Sequence, residues 1–197
     1  QLRVDEELTK LGYRRVYHRE DPQGQRNGPF FDPKELGGLI HLLNEDYQEL
    51  LSGQAEDPPQ AAQRLLKRFD DASVAAGGSS KFDKIPEDTL NKLMEALEGE
   101  AREHFDAKKR GCPSSLEGKT IVIEFARGGP AGVDLPFQDG YGYSGSLPHL
   151  APAILQRAAI LYIQVTPEES RRKNLARARP DGHGSILFHG TPESVMA

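Results

Sequence analysis

Apolar residues recur at helical spacing over most of the first half of the chain. Leu2, Val4, Leu8 and Leu11 form a short amphipathic stripe, and Gly12 follows as a stop. Asp32-Pro33-Lys34-Glu35 has the order of a helix start, with an N-cap Asp, Pro at N1 and an acid at N3. Leu36, Leu39, Ile40, Leu43, Tyr47 and Leu50 then hold the period to about Gly53. Asp57-Pro58 opens a further helix with Ala62, Leu65, Leu66, Phe69 and Ala72 on one side. Pro86 opens another, with Leu90, Leu93, Met94, Leu97, Ala101 and Phe105 as its stripe. It ends in Lys108-Lys109-Arg110, cations suited to a helix C-terminus. Residues 32–110 are therefore predicted as a helical block.

The period changes elsewhere. Arg15-Val-Tyr-His18 reads as a short strand. Lys119-Thr-Ile-Val-Ile-Glu-Phe125 and Ala159-Ile-Leu-Tyr-Ile-Gln-Val165 read as longer ones, and 185–188 as a short extended piece. The two longer runs are apolar throughout, as in strands with both faces covered. Strands alternating with helices predict a parallel α/β sheet flanked by helices. The loops are 23–31, 75–81 and the glycine-rich 128–147, with a helix around 150–157. Thr166-Pro-Glu-Glu169 is a capping box opening a helix to Arg179, and Thr191-Pro-Glu-Ser194 repeats that start.

Composition adds limits. The 197 residues are 37% hydrophobic and 28% charged, as in a globular protein, and suit one domain over 1–197 in which 32–110 is a helical insertion or substrate region. No apolar run approaches the roughly 18 residues needed to cross a bilayer, and no signal peptide is visible. The lone Cys112 allows no internal disulfide and suits a reducing, cytoplasmic setting. The net charge of −5 argues against general nucleic-acid binding, so any polyanion site is a local concentration of arginine. The chain begins at Gln1, already in helical period, and reads as a piece of a longer one.

Four stretches could carry chemistry, each with a plain structural alternative. Glu124 and Arg127 end an apolar strand, where open α/β sheets bind ligands. The carboxylate could order Mg²⁺ or water and the arginine a phosphate; the alternative is an ion pair. Glu20 and Asp21, with His18 behind them, could supply a general base; the alternative is a polar turn before Pro22. Arg171, Arg172, Arg177 and Arg179 sit on the last predicted helix, where arginine suits bidentate phosphate contacts. The alternative is a solvated helix in which Glu168 and Glu169 pair with Arg172 and Lys173. Tyr141 and Tyr143, in the 128–147 loop, could cover a ring of a small-molecule substrate; the alternative is a surface loop. His41, His104 and His149 stand alone in sequence and read as ordinary helix histidines, and no Cys/His cluster has metal-ligand spacing.

The order of these pieces resembles the P-loop kinases of the nucleoside and nucleotide kinase type, especially the deoxynucleoside-kinase-like group. The best-matching part is Ile160 to Arg179, a strand ending in a Pro-Glu start and running into an arginine-rich helix. Ile123-Glu-Phe-Ala-Arg127 is similar to the family's strand ending in an acid and then an arginine. Glu20-Asp-Pro22 is similar to its strand-end base. The resemblance implies a three-layer P-loop NTPase-like fold and ATP-dependent phosphorylation of a small-molecule hydroxyl, in a nucleoside or nucleotide among others. ATP and Mg²⁺ would be cofactors, and Arg171, Arg172, Arg177 and Arg179 lid-helix residues. The family's Gly-x-x-x-x-Gly-Lys-Ser/Thr loop does not occur; Gly77-Gly-Ser-Ser-Lys81 has its composition without its spacing. That loop is expected upstream of Gln1. The alternatives are a non-catalytic binding or regulatory relative and an NTPase coupled to a partner. A homodimer is an open possibility.

Overall fold

The computed structural model describes residues 1–20, 29–124, 128–129, 134, 136–137 and 140–177. Among them the helices fall where the apolar period placed them: α1 (Leu2–Lys10), α2 (Glu35–Ser52), α3 (Ala61–Ala75) and α4 (Glu87–Gly111). After these come the short α5 (Gly142–Ser146), a 3₁₀ turn (Leu147–His149), α6 (Pro152–Leu155) and α7 (Pro167–Arg177). No helix among the described residues is long and apolar enough to cross a membrane.

Local signals end several helices as anticipated. Gly12 takes φ 74° beyond α1, a left-handed conformation that glycine enters without a Cβ penalty, and the Tyr13 N–H closes back on Leu8 O at 2.8 Å. Other boundaries are tertiary. Asp57-Pro58 does not open α3, which begins at Ala61. The Glu98 carboxylate of α4 accepts the Ala61 and Ala62 N–H groups at 3.0 and 2.8 Å, satisfying free amides of the first turn. Asp32 folds a turn ahead of α2, its Oδ1 accepting the Lys34 N–H at 3.0 Å.

α2 packs on α3, α3 on α4, and α4 on α1. The larger core joins Val4 and Leu8 of α1 to Ala62 and Leu66 of α3 and Leu93, Leu97, Ala101 and Phe105 of α4, with Tyr17, Phe82 and Ile85 from connecting segments. A smaller core joins Ile40 and Tyr47 of α2 to Leu150 and Ile154, with Ile123 against it. Charges brace the helices from outside. Arg68 of α3, only 2% exposed, donates to Glu45 and Asp46 of α2 at 2.7 and 2.6 Å, and Lys108 of α4 reaches Asp46 and Glu49 at 2.7 and 2.9 Å.

This architecture corrects the expected parallel α/β sheet and three-layer P-loop NTPase-like fold. Among the described residues there is no strand, only an isolated antiparallel bridge between His18 and Phe30. The apolar runs at 119–124 and 159–165 form no ladder. Val122 is 82% exposed and Leu161 83%, while Ile160, Tyr162 and Ile163 are also open to solvent. The reason lies in the helices. A buried sheet needs helices with apolar faces free to cover it; here those of α1, α3 and α4 meet one another and that of α2 meets Leu150 and Ile154. Phe125, the predicted end of the first run, and the pieces at 185–188 and 191–194 lie outside the described residues.

Candidate functional site

The described site residues lie on separate segments of the chain. Glu20 is exposed, two residues beyond the His18 bridge, and Glu124 is exposed at the end of the 119–124 run. Asp21, Arg127 and Arg179 lie outside the described residues. Tyr141 precedes α5 and is half-buried. Tyr143, on α5, meets Tyr162 edge-on with ring centroids 5.7 Å apart. Arg171, Arg172 and Arg177 belong to α7. No hydrogen bond, ion pair or ring contact joins Glu20, Glu124, Arg171 and Arg172 to one another among the described residues.

The cationic helix forms as its capping box predicts. The Glu169 N–H donates to Thr166 Oγ1 at 3.2 Å, and Pro167 is the first helical residue. Four cations, Arg171, Arg172, Lys173 and Arg177, share α7 with only two acids, Glu168 and Glu169. Arg172 donates to both oxygens of Glu169 at 2.6 and 2.7 Å, and Lys173 approaches it at 3.6 Å. Those bonds from Arg172 pull the Glu169 carboxyl down to about 2, overcoming the small effect of burial. The pairs are solvent-exposed and therefore weakly held. The helix thus turns its own cap residue, Thr166, onto its N-terminus.

Two polar constellations were not legible beforehand. In the first, Asp5 of α1 is fully buried. It accepts the Val16, Tyr17 and His18 N–H groups at 2.7, 3.0 and 2.8 Å, and His18 Nδ1 lies 3.0 Å from it. Burial pushes its carboxyl up, but the bonds from His18 and the three amides outweigh burial and hold it below the usual range. The His18 ring stacks on Phe30 at 4.4 Å. Beside this lies buried Glu35, paired with Lys81 Nζ at 2.7 Å and accepting the Ser73 hydroxyl at 2.8 Å. Ser73 Oγ also lies 3.0 Å from the Phe69 carbonyl. Burial, followed by the charges of Glu35, Asp70 and Asp5, pushes the Tyr17 hydroxyl well above its ordinary range. This interior cluster fixes the chain around α1. A signal for it existed: Asp5 falls on the apolar face of α1, beside Val4 and one turn from Leu8.

The second constellation corrects the reading of His41 and His149 as solitary. His41 Nε2 of α2 lies 3.1 Å from His149 Nδ1, with the rings 5.1 Å apart at 66°. Burial, then the His149 ring, lowers the His41 imidazole, against an opposing pull from Glu45. Asn44 holds the facing segment, donating to His149 O at 2.8 Å and accepting the Ala151 N–H at 2.9 Å. Gly37 is required at the contact, since a Cβ there would stand 2.8 Å from the His149 ring. A cavity of about 280 Å³ adjoins the pair, lined by His41, Asn44, Glu45, Gln48, Asp71 and Ala151 among others. A separation of 108 residues hides the pair from sequence reading.

Among the described residues, no group of three or more His, Cys, Asp or Glu side chains converges as a ready-made metal cluster. Comparisons of the chain with protein-family models, curated proteins and solved structures find no match.

Proposed function

We propose that the protein is an ATP-dependent phosphotransferase acting on the hydroxyl of a small molecule, with nucleosides and nucleotides the first candidates. The observation that carries this reading is α7, a self-capped helix presenting a local excess of arginine in a chain of net charge −5. Phosphoryl transfer needs little covalent chemistry from a protein and much charge placement, and guanidinium groups suit the equatorial oxygens of a transferring phosphoryl. Arg171, Arg172 and Arg177 would take that role, Arg172 exchanging Glu169 for phosphate. Glu20 or Asp21 would accept the hydroxyl proton, and Arg127 would orient the acceptor. Glu124 is a single exposed carboxylate. It fits a Mg²⁺ that arrives with nucleotide phosphates better than a resident ion, because Mg²⁺ in such sites keeps waters and one or two carboxylates. When bound, that ion supplies charge neutralisation; the residues of this chain bind and orient around it.

The test is transfer from γ-labelled ATP to a panel of nucleosides, nucleotides and other small hydroxyl compounds. Arg171→Ala with Arg172→Ala should cut transfer at least tenfold without changing the melting temperature. Equal activity in that variant and in Glu20→Gln would refute the assignment. The exposure of Leu161, Tyr162 and Ile163, beside the same helix, favours a second reading as a non-catalytic binding module. ATP binding without transfer or hydrolysis would select that reading, and hydrolysis without transfer would select an NTPase coupled to a partner.

A further inference from the structure

We infer that His41 and His149 form a binding site for a divalent transition-metal ion of the zinc, nickel or copper class. The two ring nitrogens are 3.1 Å apart. Ligand nitrogens at 2.0–2.1 Å from one ion stand roughly 2.8–3.4 Å apart in octahedral or tetrahedral geometry, so the spacing, which is also that of an N–H···N hydrogen bond, suits two ligands of one centre. The rings are inclined at 66°, and to share one ion each lone pair would swing roughly 35–45° off the N···N line.

The surroundings leave room for an ion in place of the N–H···N bond. Both rings are held from elements that cannot drift apart freely. His41 is on α2, and His149 is anchored to the same helix through the two hydrogen bonds of Asn44. These bonds hold the backbone of the His149 segment, not its ring. The adjoining cavity gives water access for the remaining coordination positions. Glu45, one turn beyond His41, and Asp71 of α3 place negative charge on the cavity wall. Each also meets a cation, Arg68 at 2.7 Å for Glu45 and Lys67 at 2.6 Å for Asp71, so the protein offers two imidazoles first and a carboxylate only by exchange. Imidazole selects zinc, copper and nickel over magnesium and calcium. With two protein ligands and water, the site would bind more weakly than a closed structural zinc centre. It is independent of the phosphotransferase reading.

The experiment is calorimetric titration of chelator-treated, full-length protein with Zn²⁺, Ni²⁺ and Co²⁺ at neutral pH, alongside thermal unfolding. The expected result is one ion per chain with a raised melting temperature, lost in His41→Gln and in His149→Gln and absent with Mg²⁺. The Co²⁺ complex should lack the thiolate charge-transfer band that Cys112 would give. In wild-type protein, a paramagnetic ion should broaden NMR signals of residues 37–45 and 147–151 first, a readout that holds even if a variant folds poorly. No binding at millimolar metal, binding unchanged in the variants, or broadening centred elsewhere would overturn the site and leave a hydrogen bond between the two rings.

Discussion

Replacing Asp5 tests the interior most directly. Its carboxylate is the acceptor for three consecutive backbone amides and the partner of His18 Nδ1, with no exposure to solvent. Asp5→Ala strands the Val16, Tyr17 and His18 N–H groups together. A buried donor left unpaired costs about 1–3 kcal/mol, so even the lower figure for each amide gives a loss of about 3 kcal/mol before the cavity is counted. Asp5→Asn keeps one acceptor oxygen but turns an amide nitrogen toward a backbone N–H, and should lose about 2 kcal/mol. Equilibrium urea unfolding is the assay. With a slope of about 2 kcal/mol/M, the alanine variant should shift its midpoint down by roughly 1.5 M at unchanged slope. Glu6→Ala is the control on the same helix. Arg3 retains Glu7 and Glu100 in its absence, so the change should stay within about 0.5 kcal/mol. A loss below about 1 kcal/mol for Asp5→Ala would refute the claim that this carboxylate organises the 16–18 segment.

Other outcomes follow from the same contacts. Lys81→Met removes the cation beside buried Glu35 and should cost about 3–5 kcal/mol, part of which returns in the double variant with Glu35→Gln; thermal melts of the three proteins check it. Gly37→Ala drives a methyl to 2.8 Å from the His149 ring and should cost about 1–3 kcal/mol. Hydrogen exchange should then quicken at 147–155 more than in α4. Acid should destabilise in two stages. Burial, then the charges of Lys108 and Arg68, lowers the His104 imidazole below its ordinary 6.5. The unfolded chain therefore takes up that proton first, and stability held above 6.5 declines as pH falls toward the folded value. Asp5, lowered below 3.8, contributes stability above that value that is lost as pH falls through its folded value. Unfolding free energy against pH should show both stages, and Asp5→Asn should shrink the lower one, leaving the part due to surface carboxylates such as Glu56, which its hydrogen bonds to Arg64 hold low.

The helices were written in the sequence because their signal is local. One apolar stripe per helix, repeated every three or four residues from Leu36 to Phe105, marks which face must be buried without naming what buries it. The capping box at Thr166 likewise sets the start of α7 within four residues. The runs at 119–124 and 159–165 were different. An apolar run states that a segment prefers burial or extension, but a strand exists only through hydrogen bonds to a partner elsewhere in the chain. Tertiary structure decided that point: the apolar faces of α1, α3 and α4 meet one another, and that of α2 meets Leu150 and Ile154. It also moved the start of α3 to Ala61, because its cap is Glu98 on another helix. Of the candidate site, sequence alone marked the arginines of α7, whose charges are neighbours along one helix. His41 with His149, and Glu35 with Ser73 and Lys81, were decided only by the fold, since contacts between residues tens of positions apart leave no periodic trace in the chain.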